Sequence, residues 1–365
     1  MDGILFTQQL LDWYDANRRD LPWRRAPEPY AVWVSEIMAQ QTQMDRVVGY
    51  FERWMERFPD IHALARAHEE DVLKLWEGLG YYSRARNMLK AASVLAVDHD
   101  GVFPSDPAAI RSLPGVGEYT AGAIASIAFG LPEPAVDANV LRVFARVLDL
   151  DQPVRSGETR AVVAETVRSL MPDDRAGDFT QALMELGALV CSKNPRCGDC
   201  PVSGQCAALS ADTVSRRPVL PVPGKTTRIN MATGVLVHEG RVLIQKRLPD
   251  DVWPGLWEFP GGGIEQGETP EQTVAREYME EVELAVEPVE DITTLTYAYT
   301  RYRVTMHCFL CRFADGSGEP VFNEAVTGGF VPPQDLSGYA FPSGHRRLIQ
   351  FMKADSRFAD LFSDS

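Results

Sequence analysis

The sequence predicts a two-part chain, an all-helical first half followed by an α+β second half, and three observations carry that reading. From Phe6 to about Leu189 the apolar residues recur at helical spacing, as in Ile61, Leu64 and Ala65 and then Val72, Leu73, Leu75 and Trp76. Breaks fall at Pro59, Gly78, Pro104, Pro114, Pro132 and Pro172. Between Ala207 and Arg228, Ser-Arg-Arg-Pro and Leu-Pro-Val-Pro-Gly-Lys have the composition of an extended connector. Beyond it the pattern changes to short β-rich runs, Ala232 to Val237, Val242 to Lys246, Leu295 to Tyr302 and Thr305 to Phe313, with one amphipathic helix between them and another near the C-terminus. The expected division is a helical domain over 1–206, a connector over 207–228 and a second domain over 229–365.

Composition agrees with two ordinary cores. A chain of 365 residues corresponds to about two domains, and 45 % hydrophobic with 24 % charged residues excludes disorder and fibrous repeats. The longest uncharged apolar stretch, Ala121 to Leu131, is too short to span a bilayer, so neither membrane insertion nor export is expected, and a cytoplasmic monomer is. The net charge of −15 argues against polyanion binding by bulk attraction. A nucleic-acid partner would have to be held by backbone amides, helix ends and a few placed arginines.

Chemistry is concentrated in a few places. Cys191, Cys197, Cys200 and Cys206 lie in one Gly/Pro-bent loop over 191–206 with five, two and five residues between them. Four clustered thiolates suit either a tetrahedral zinc or an iron-sulfur cluster, and Lys193 and Arg196 make the same loop cationic. Leu113-Pro-Gly-Val-Gly117 sits between two helical stretches, where Gly115 and Gly117 permit a tight turn whose amides can approach a phosphate. A Pro-Gly turn joining two helices is otherwise an ordinary hairpin. Glu36 interrupts the apolar run Trp33, Val34, Ile37 and Met38. Partial desolvation there raises its pKa and favours general acid work, whereas a lone helical Glu is more commonly a solvated face residue. Asp137 precedes Val140, Val143, Phe144 and Val147, so it reads as an N-cap, held ionised by the capping amides and helix dipole. A protonated Glu beside a fixed carboxylate is the pair that expels a base and stabilises an oxocarbenium ion.

In the second half, Trp257-Glu-Phe-Pro-Gly-Gly-Gly-Ile-Glu-Gln-Gly-Glu268 leads into a helix opened by Thr269 as cap, Pro270 at its first position and Gln272 closing a capping box. Glu277, Glu280 and Glu281 fall at i, i+3 and i+4 of that helix. One face therefore carries three hard oxygen donors suited to magnesium, or simply a solvated acidic surface.

Five motifs in order, Trp33-Val-Ser-Glu-Ile-Met-Ala-Gln-Gln-Thr-Gln43, Gly78-Leu-Gly-Tyr-Tyr-Ser-Arg-Ala-Arg-Asn87, Leu113-Pro-Gly-Val-Gly117, Val136-Asp-Ala-Asn139 and the cysteine loop, resemble the MutY adenine DNA glycosylases. The resemblance implies a helix-hairpin-helix glycosylase, with its hairpin at about 105–130, that binds a 4Fe-4S cluster through Cys191, Cys197, Cys200 and Cys206 and removes adenine opposite 8-oxoguanine or guanine in duplex DNA. It further implies that Glu36 protonates the adenine ring, that Asp137 stabilises the cationic sugar, and that Tyr119 and Asn139 line the sugar site. Gln41 and Tyr81 would fill the base stack after flipping, and Arg24 would border the adenine pocket. Five residues separate the first two cysteines where such proteins have six, and Tyr119 stands where the related endonuclease III has a catalytic Lys. Without that amine the reaction is expected to stop at hydrolysis, with no efficient strand cleavage.

Gly262, Glu268, Arg276-Glu277 and Glu280-Glu281 resemble the Nudix signature, which implies an α/β/α sandwich, departing from it at Tyr278 and Glu283. Tyr339-Ala-Phe-Pro-Ser-Gly-His-Arg-Arg347 resembles the MutY tail, and Tyr297-Ala-Tyr-Thr-Arg301 aligns with the family's lesion-reading Phe-Ser-His loop, keeping a hydroxyl at Thr300 but placing Arg301 where His is usual. The leading expectation is thus a monofunctional glycosylase whose second domain checks the opposite base. The alternative adds a magnesium-dependent pyrophosphohydrolase acting on a nucleoside triphosphate, 8-oxo-dGTP. A third reading, a helical DNA-binding module alone, has no use for Glu36 beside Asp137.

Overall fold

The computed structural model describes residues 2–221, 224–299, 301–316 and 318–362. Its helices are α1 (Gly3–Asn17), α2 (Pro22–Arg25), α3 (Pro29–Ala39), α4 (Met44–Arg57), α5 (Ile61–Ala65), α6 (Glu69–Trp76), α7 (Ser83–Asp98), α8 (Pro107–Ser112), α9 (Glu118–Phe129), α10 (Ala138–Val147), α11 (Gly157–Leu170), α12 (Ala176–Leu189), α13 (Ala207–Ser210), α14 (Pro270–Val282), α15 (Ser343–Ala354) and α16 (Ala359–Phe362). The strands are β1 (Thr227–His238), β2 (Arg241–Arg247), β3 (Trp257–Glu258), β4 (Gly261–Gly263), β5 (Val286–Tyr299), β6 (Tyr302–Phe313) and β7 (Ala325–Val331). The chain forms two compact units, one of Met1–Ala67 with Arg86–Val222 and one of His68–Ala85 with Pro223–Ser365. Among the described residues no helix is long and apolar enough to cross a membrane.

The first unit is helical. Its principal core joins Phe6, Leu10 and Tyr14 of α1 to Val140, Val143 and Phe144 of α10, Val163 and Val167 of α11, and Phe179, Leu183 and Leu186 of α12. The i, i+3/i+4 spacing of these residues puts each set on one helix face. The α8–α9 turn needs glycine at position 115, where φ is +76° and a Cβ would collide with the Asn87 side chain. Gly187 likewise lets α12 approach the start of α10, since a Cβ there would overlap Asn139.

Residues after 206 are not the extended connector expected from their composition. α13 forms at once, and the following stretch is bonded to the first unit through Thr213 Oγ1 to Asp149 (2.6 Å), Arg217 to Asp149 (2.8 Å) and Val154 N to the Val219 carbonyl (2.9 Å). Thr213, Arg217 and Val219 thus anchor this segment along the first unit.

The second unit is a mixed sheet of order β3-β2-β1-β6-β5, with β4 on β1 and β7 on β2. β1 and β6 run parallel, and the other pairs are antiparallel. The period-2 alternation gives the sheet two apolar faces. Ala232, Leu236 and Leu243 pack with Val274, Tyr278 and Val282 of α14, while Val235, Val242 and Ile244 pack with Leu348, Ile349 and Met352 of α15. The run expected as one strand from Leu295 to Tyr302 is instead the end of β5 and the start of β6, and the short β3, β4 and β7 have no periodic signal of their own.

The unexpected member of this unit is residues 68–85, 142 residues or more away from its sheet in sequence. Glu77, at the end of α6, accepts the Phe341 amide (3.0 Å) and Arg346 Nε (2.7 Å), Lys74 Nζ donates to the Tyr339 carbonyl (3.0 Å), and Lys246 pairs with Glu70 (2.5 Å). Glu77 is only 13 % exposed at its side chain, so these are charge-assisted bonds in a partly desolvated setting rather than loose surface pairs.

Candidate active site and cysteine loop

α3 is buried along nearly its whole length, from Tyr30 to Met38, and so presents Glu36 as a carboxyl only 9 % exposed. The helix packs on α9, whose first turn places Tyr119 so that its hydroxyl donates to Glu36 Oε2. Burial pushes the Glu36 pKa up to about 7; the Tyr119 hydrogen bond opposes this and the Asp137 charge adds to it. Tyr119 itself is raised well above its ordinary value by burial and by the two carboxylates, which keeps it a donor.

Asp137 caps α10, accepting the Val140 amide and Asn139 Nδ2, both at 2.7 Å. The expected cap is there, and burial of the carboxyl acts against it. Desolvation raises the Asp137 pKa, against hydrogen bonds from Val140 and Asn139 and the Arg142 charge that lower it. The capping donors are local in sequence, whereas the burial comes from surrounding helices. From Asp137 a polar chain continues inward: Arg142 Nη2 donates to Asn139 Oδ1 (2.8 Å) and the Gly187 carbonyl (2.7 Å), and Arg142 Nε to the Cys191 carbonyl (2.8 Å).

Glu36, Tyr119, Asp137, Asn139, Arg24 and Gln41 all line one 2040 Å³ groove of the first unit. Arg24 is fixed there by Glu185 (2.5 Å) and Gln181 (2.9 Å). Burial of Glu185, whose side chain is fully covered, would raise its pKa, but Arg19 and Arg24 overcome this and lower it. Glu185, Gln181 and Arg142 were not anticipated. The usable signals were a single acid within Ala182-Leu-Met-Glu-Leu-Gly187 and an arginine three residues after Asn139. Gln41 has φ +58°, a left-handed conformation uncommon for a side chain of its size. Gly115 and Gly117 belong to the α8–α9 turn and do not line the groove. Tyr81 lies in the second unit, also left-handed at φ +49°, and Thr300 falls outside the described residues.

The four loop cysteines line one small apolar cavity of about 20 Å³ beneath α10 and α12. Arg146, 4 % exposed, donates from Nη1 to Cys191 Sγ (3.2 Å) and the Ser192 carbonyl (2.7 Å). Burial pushes the Cys200 thiol up to about 11 and raises Cys206, so ionising either of these two is favoured by a nearby cation. Among the described residues no group of three or more His, Cys, Asp or Glu converges closely enough to hold a single metal ion. Four thiols lining one cavity are the soft donor set that an iron-sulfur cluster or a zinc ion takes. Lys193, Asn194 and Pro195 of this loop form part of the groove wall.

The carboxylates of the second unit are arranged differently. Arg276 holds Glu268 (2.7 Å), Glu277 (2.9 Å) and Glu280 (2.8 Å). Glu281 accepts the Gly261 amide and Gln245 Nε2, each at 3.0 Å, and Glu258 is paired with Arg247. Burial, then the Glu258 charge, pushes Glu281 up to about 9, and burial pushes Glu258 up to about 7. The three box carboxylates expected to share a magnesium ion do share α14, but they are engaged by the chain's own donors and do not form a converged ligand set. No magnesium-dependent step follows from this arrangement.

Residues 34–169 match the HhH-GPD superfamily of base excision DNA repair proteins, and residues 232–351 match the NUDIX domain. The chain is 38 % identical over 292 residues to the adenine DNA glycosylase of Arabidopsis thaliana, covering 69 % of this chain and 46 % of that protein. It is 35 % identical over 269 residues to the adenine DNA glycosylase of Buchnera aphidicola subsp. Baizongia pistaciae, covering 71 % of this chain and 74 % of that protein. It spans about half the length of the plant and mammalian relatives it matches. Among solved structures, a thermostable thymine-DNA glycosylase superposes with a TM-score of 0.53 at 27 % identity, covering 57 % of this chain and 97 % of that one.

Proposed function

The chain belongs to the adenine DNA glycosylase family, and we propose that it hydrolyses the N-glycosidic bond of adenine mispaired with 8-oxoguanine or guanine in duplex DNA. The observation that carries this reading is the placement of Glu36, a carboxyl poised near neutrality by burial, in one groove with Asp137. A flipped adenine in that groove receives the Glu36 proton on its ring, so that the C1′–N9 bond breaks with the electron pair leaving on adenine. Asp137 faces the cationic sugar and lowers its energy electrostatically. Glu36, now a carboxylate, accepts a proton from the water that adds to C1′. The products are adenine and an abasic site, and the proton balance closes on Glu36. Tyr119 holds the reactive carboxyl, and Asn139 with Arg142 holds Asp137.

With Tyr119 where an amine nucleophile would stand, that position offers no Schiff base, which supports a monofunctional enzyme. Cys191, Cys197, Cys200 and Cys206 would hold a 4Fe-4S cluster, whose contribution is to cross-link the loop that carries Lys193 along the groove. Duplex DNA is the partner, bound through such placed cations and the α8–α9 turn, in keeping with the acidic net charge. The second unit is assigned to reading the opposite base, with Tyr81 as the wedge and the 297–301 segment at the lesion. The deciding experiment measures adenine release from a duplex holding A opposite 8-oxoguanine, for wild type and Glu36→Gln. Loss of release in the variant supports the reading, and equal rates end it.

A further inference from the structure

Three aromatic rings from three separate stretches of the second unit meet at its surface. Tyr81 lies 6.1 Å from Tyr299 with the rings tilted by 39°, and Trp253 meets Tyr299 edge-on at 5.1 Å and 72°. None of the three belongs to either core flanking the sheet, and each is half-buried. Tyr81 (φ +49°) and Trp253 (φ +59°) both adopt the left-handed conformation that L-residues of this bulk avoid. Two loops therefore adopt a disfavoured backbone to bring aromatic rings together where no core requires them. The Arg84 guanidinium lies over the Tyr81 ring at 5.6 Å and donates from Nη2 to the carbonyls of Leu79 and Gly80, both at 3.0 Å, which steadies the turn beneath Tyr81. Tyr299 ends β5, immediately before the 300–301 segment.

We propose that Trp253 and Tyr299 are positioning residues for Tyr81, holding its ring at the angle needed to enter the base stack beside the opposite-strand base. The proposal rests on the glycosylase reading and on Tyr81 as the wedge. Trp253 braces Tyr299 edge-on, and the tilted Tyr299 ring in turn orients Tyr81 without stacking on it face to face. A free tyrosine ring at a loop tip would rotate about χ1, and bracing restricts it to the inserting orientation before DNA arrives.

The test is a double-mutant cycle on binding and excision, using duplexes with A opposite 8-oxoguanine and matched T opposite A. Trp253→Ala should lower the affinity ratio of mispaired over matched duplex about fivefold, with single-turnover adenine release at saturating protein within twofold of wild type and thermal stability unchanged. Trp253→Phe, which keeps an edge to offer, should restore the ratio. Tyr81→Ala with Trp253→Ala should lose no more than Tyr81→Ala alone, because the tryptophan acts through the tyrosine. An unchanged ratio in Trp253→Ala overturns the proposal, as does an additive double variant. Failure of wild type to release adenine would instead sink the glycosylase reading, and a neutral Tyr81→Ala the wedge, so the three failures are distinguishable.

Discussion

Both units bury glutamates whose pKa values are lifted toward or beyond neutrality by desolvation, yet the two sets face different surroundings. Glu36 receives the Tyr119 hydroxyl and otherwise looks into a 2040 Å³ groove, so acceptor capacity and space remain for a substrate. Glu281 and Glu258 are closed in by the Gly261 amide, Gln245 and Arg247, Glu277 is paired with Arg276, and the exposed Glu280 is paired with the same arginine. A perturbed carboxyl alone therefore does not mark catalysis. What distinguishes the first unit is unspent hydrogen-bonding capacity facing open volume. The second unit has the more strongly shifted group, Glu281 at about 9, and the less available one.

The sharpest way to break this contrast is to neutralise each glutamate in turn. Glu36→Gln should lower single-turnover adenine release by about a thousandfold, while Glu281→Gln should leave it unchanged. Comparable losses in both would mean that the second unit participates in chemistry. Asp137→Asn comes next, at about a hundredfold. Asparagine is as good an N-cap as aspartate, so α10 should keep its start and the melting temperature should move little. A large drop in melting temperature would reassign Asp137 from electrostatics to structure.

How far this contrast was legible beforehand depended on range in sequence. Glu36 stood out because it interrupts the apolar pattern of its own helix, and the cysteines and the α14 carboxylates because their spacing is local. The partners that decide what each acid can do lie far off. Tyr119 is 83 residues from Glu36, Glu185 is 161 from Arg24, and Gln245 is 36 from Glu281. Periodicity reports which face of a helix is buried, not what it meets. The placement of 68–85 with the sheet likewise rests on Glu77 and Lys74 reaching residues 339–346, pairs that no window-based pattern links. The desolvation of Asp137 escaped for the same reason, since the capping donors are adjacent and the covering helices are not.

The pH dependence gives a smaller effect with a definite sign. If Glu36 acts as the acid, the rate should fall about tenfold per unit as pH rises beyond about 7, because the protonated fraction falls. Tyr119→Phe removes a hydrogen bond that lowers the Glu36 pKa, so the descending limb should move to higher pH whatever happens to the maximal rate. A limb that stays in place or moves down would dissociate Glu36 from the titration.

The smallest effect tests the closed network directly, through stability measured with a chelator present. Glu281 has its folded pKa raised from 4.5 to about 9, so the folded state binds the extra proton and its contribution is complete below the unfolded value. That contribution is lost progressively as pH rises from about 4.5 through about 9. Gln245 Oε1 is buried with no hydrogen-bond partner, while its Nε2 already donates to Glu281. In Glu281→Gln the new amide can accept from Gly261 N and Gln245 Nε2 while its own NH2 donates to that orphan oxygen. The variant should therefore be more stable by about 1 kcal/mol at pH 8, with a flatter stability profile between pH 6 and 9, read by denaturant unfolding. A destabilised variant with an unaltered profile would mean that Glu281 is ionised in place, and the two units would then differ less than their geometry implies.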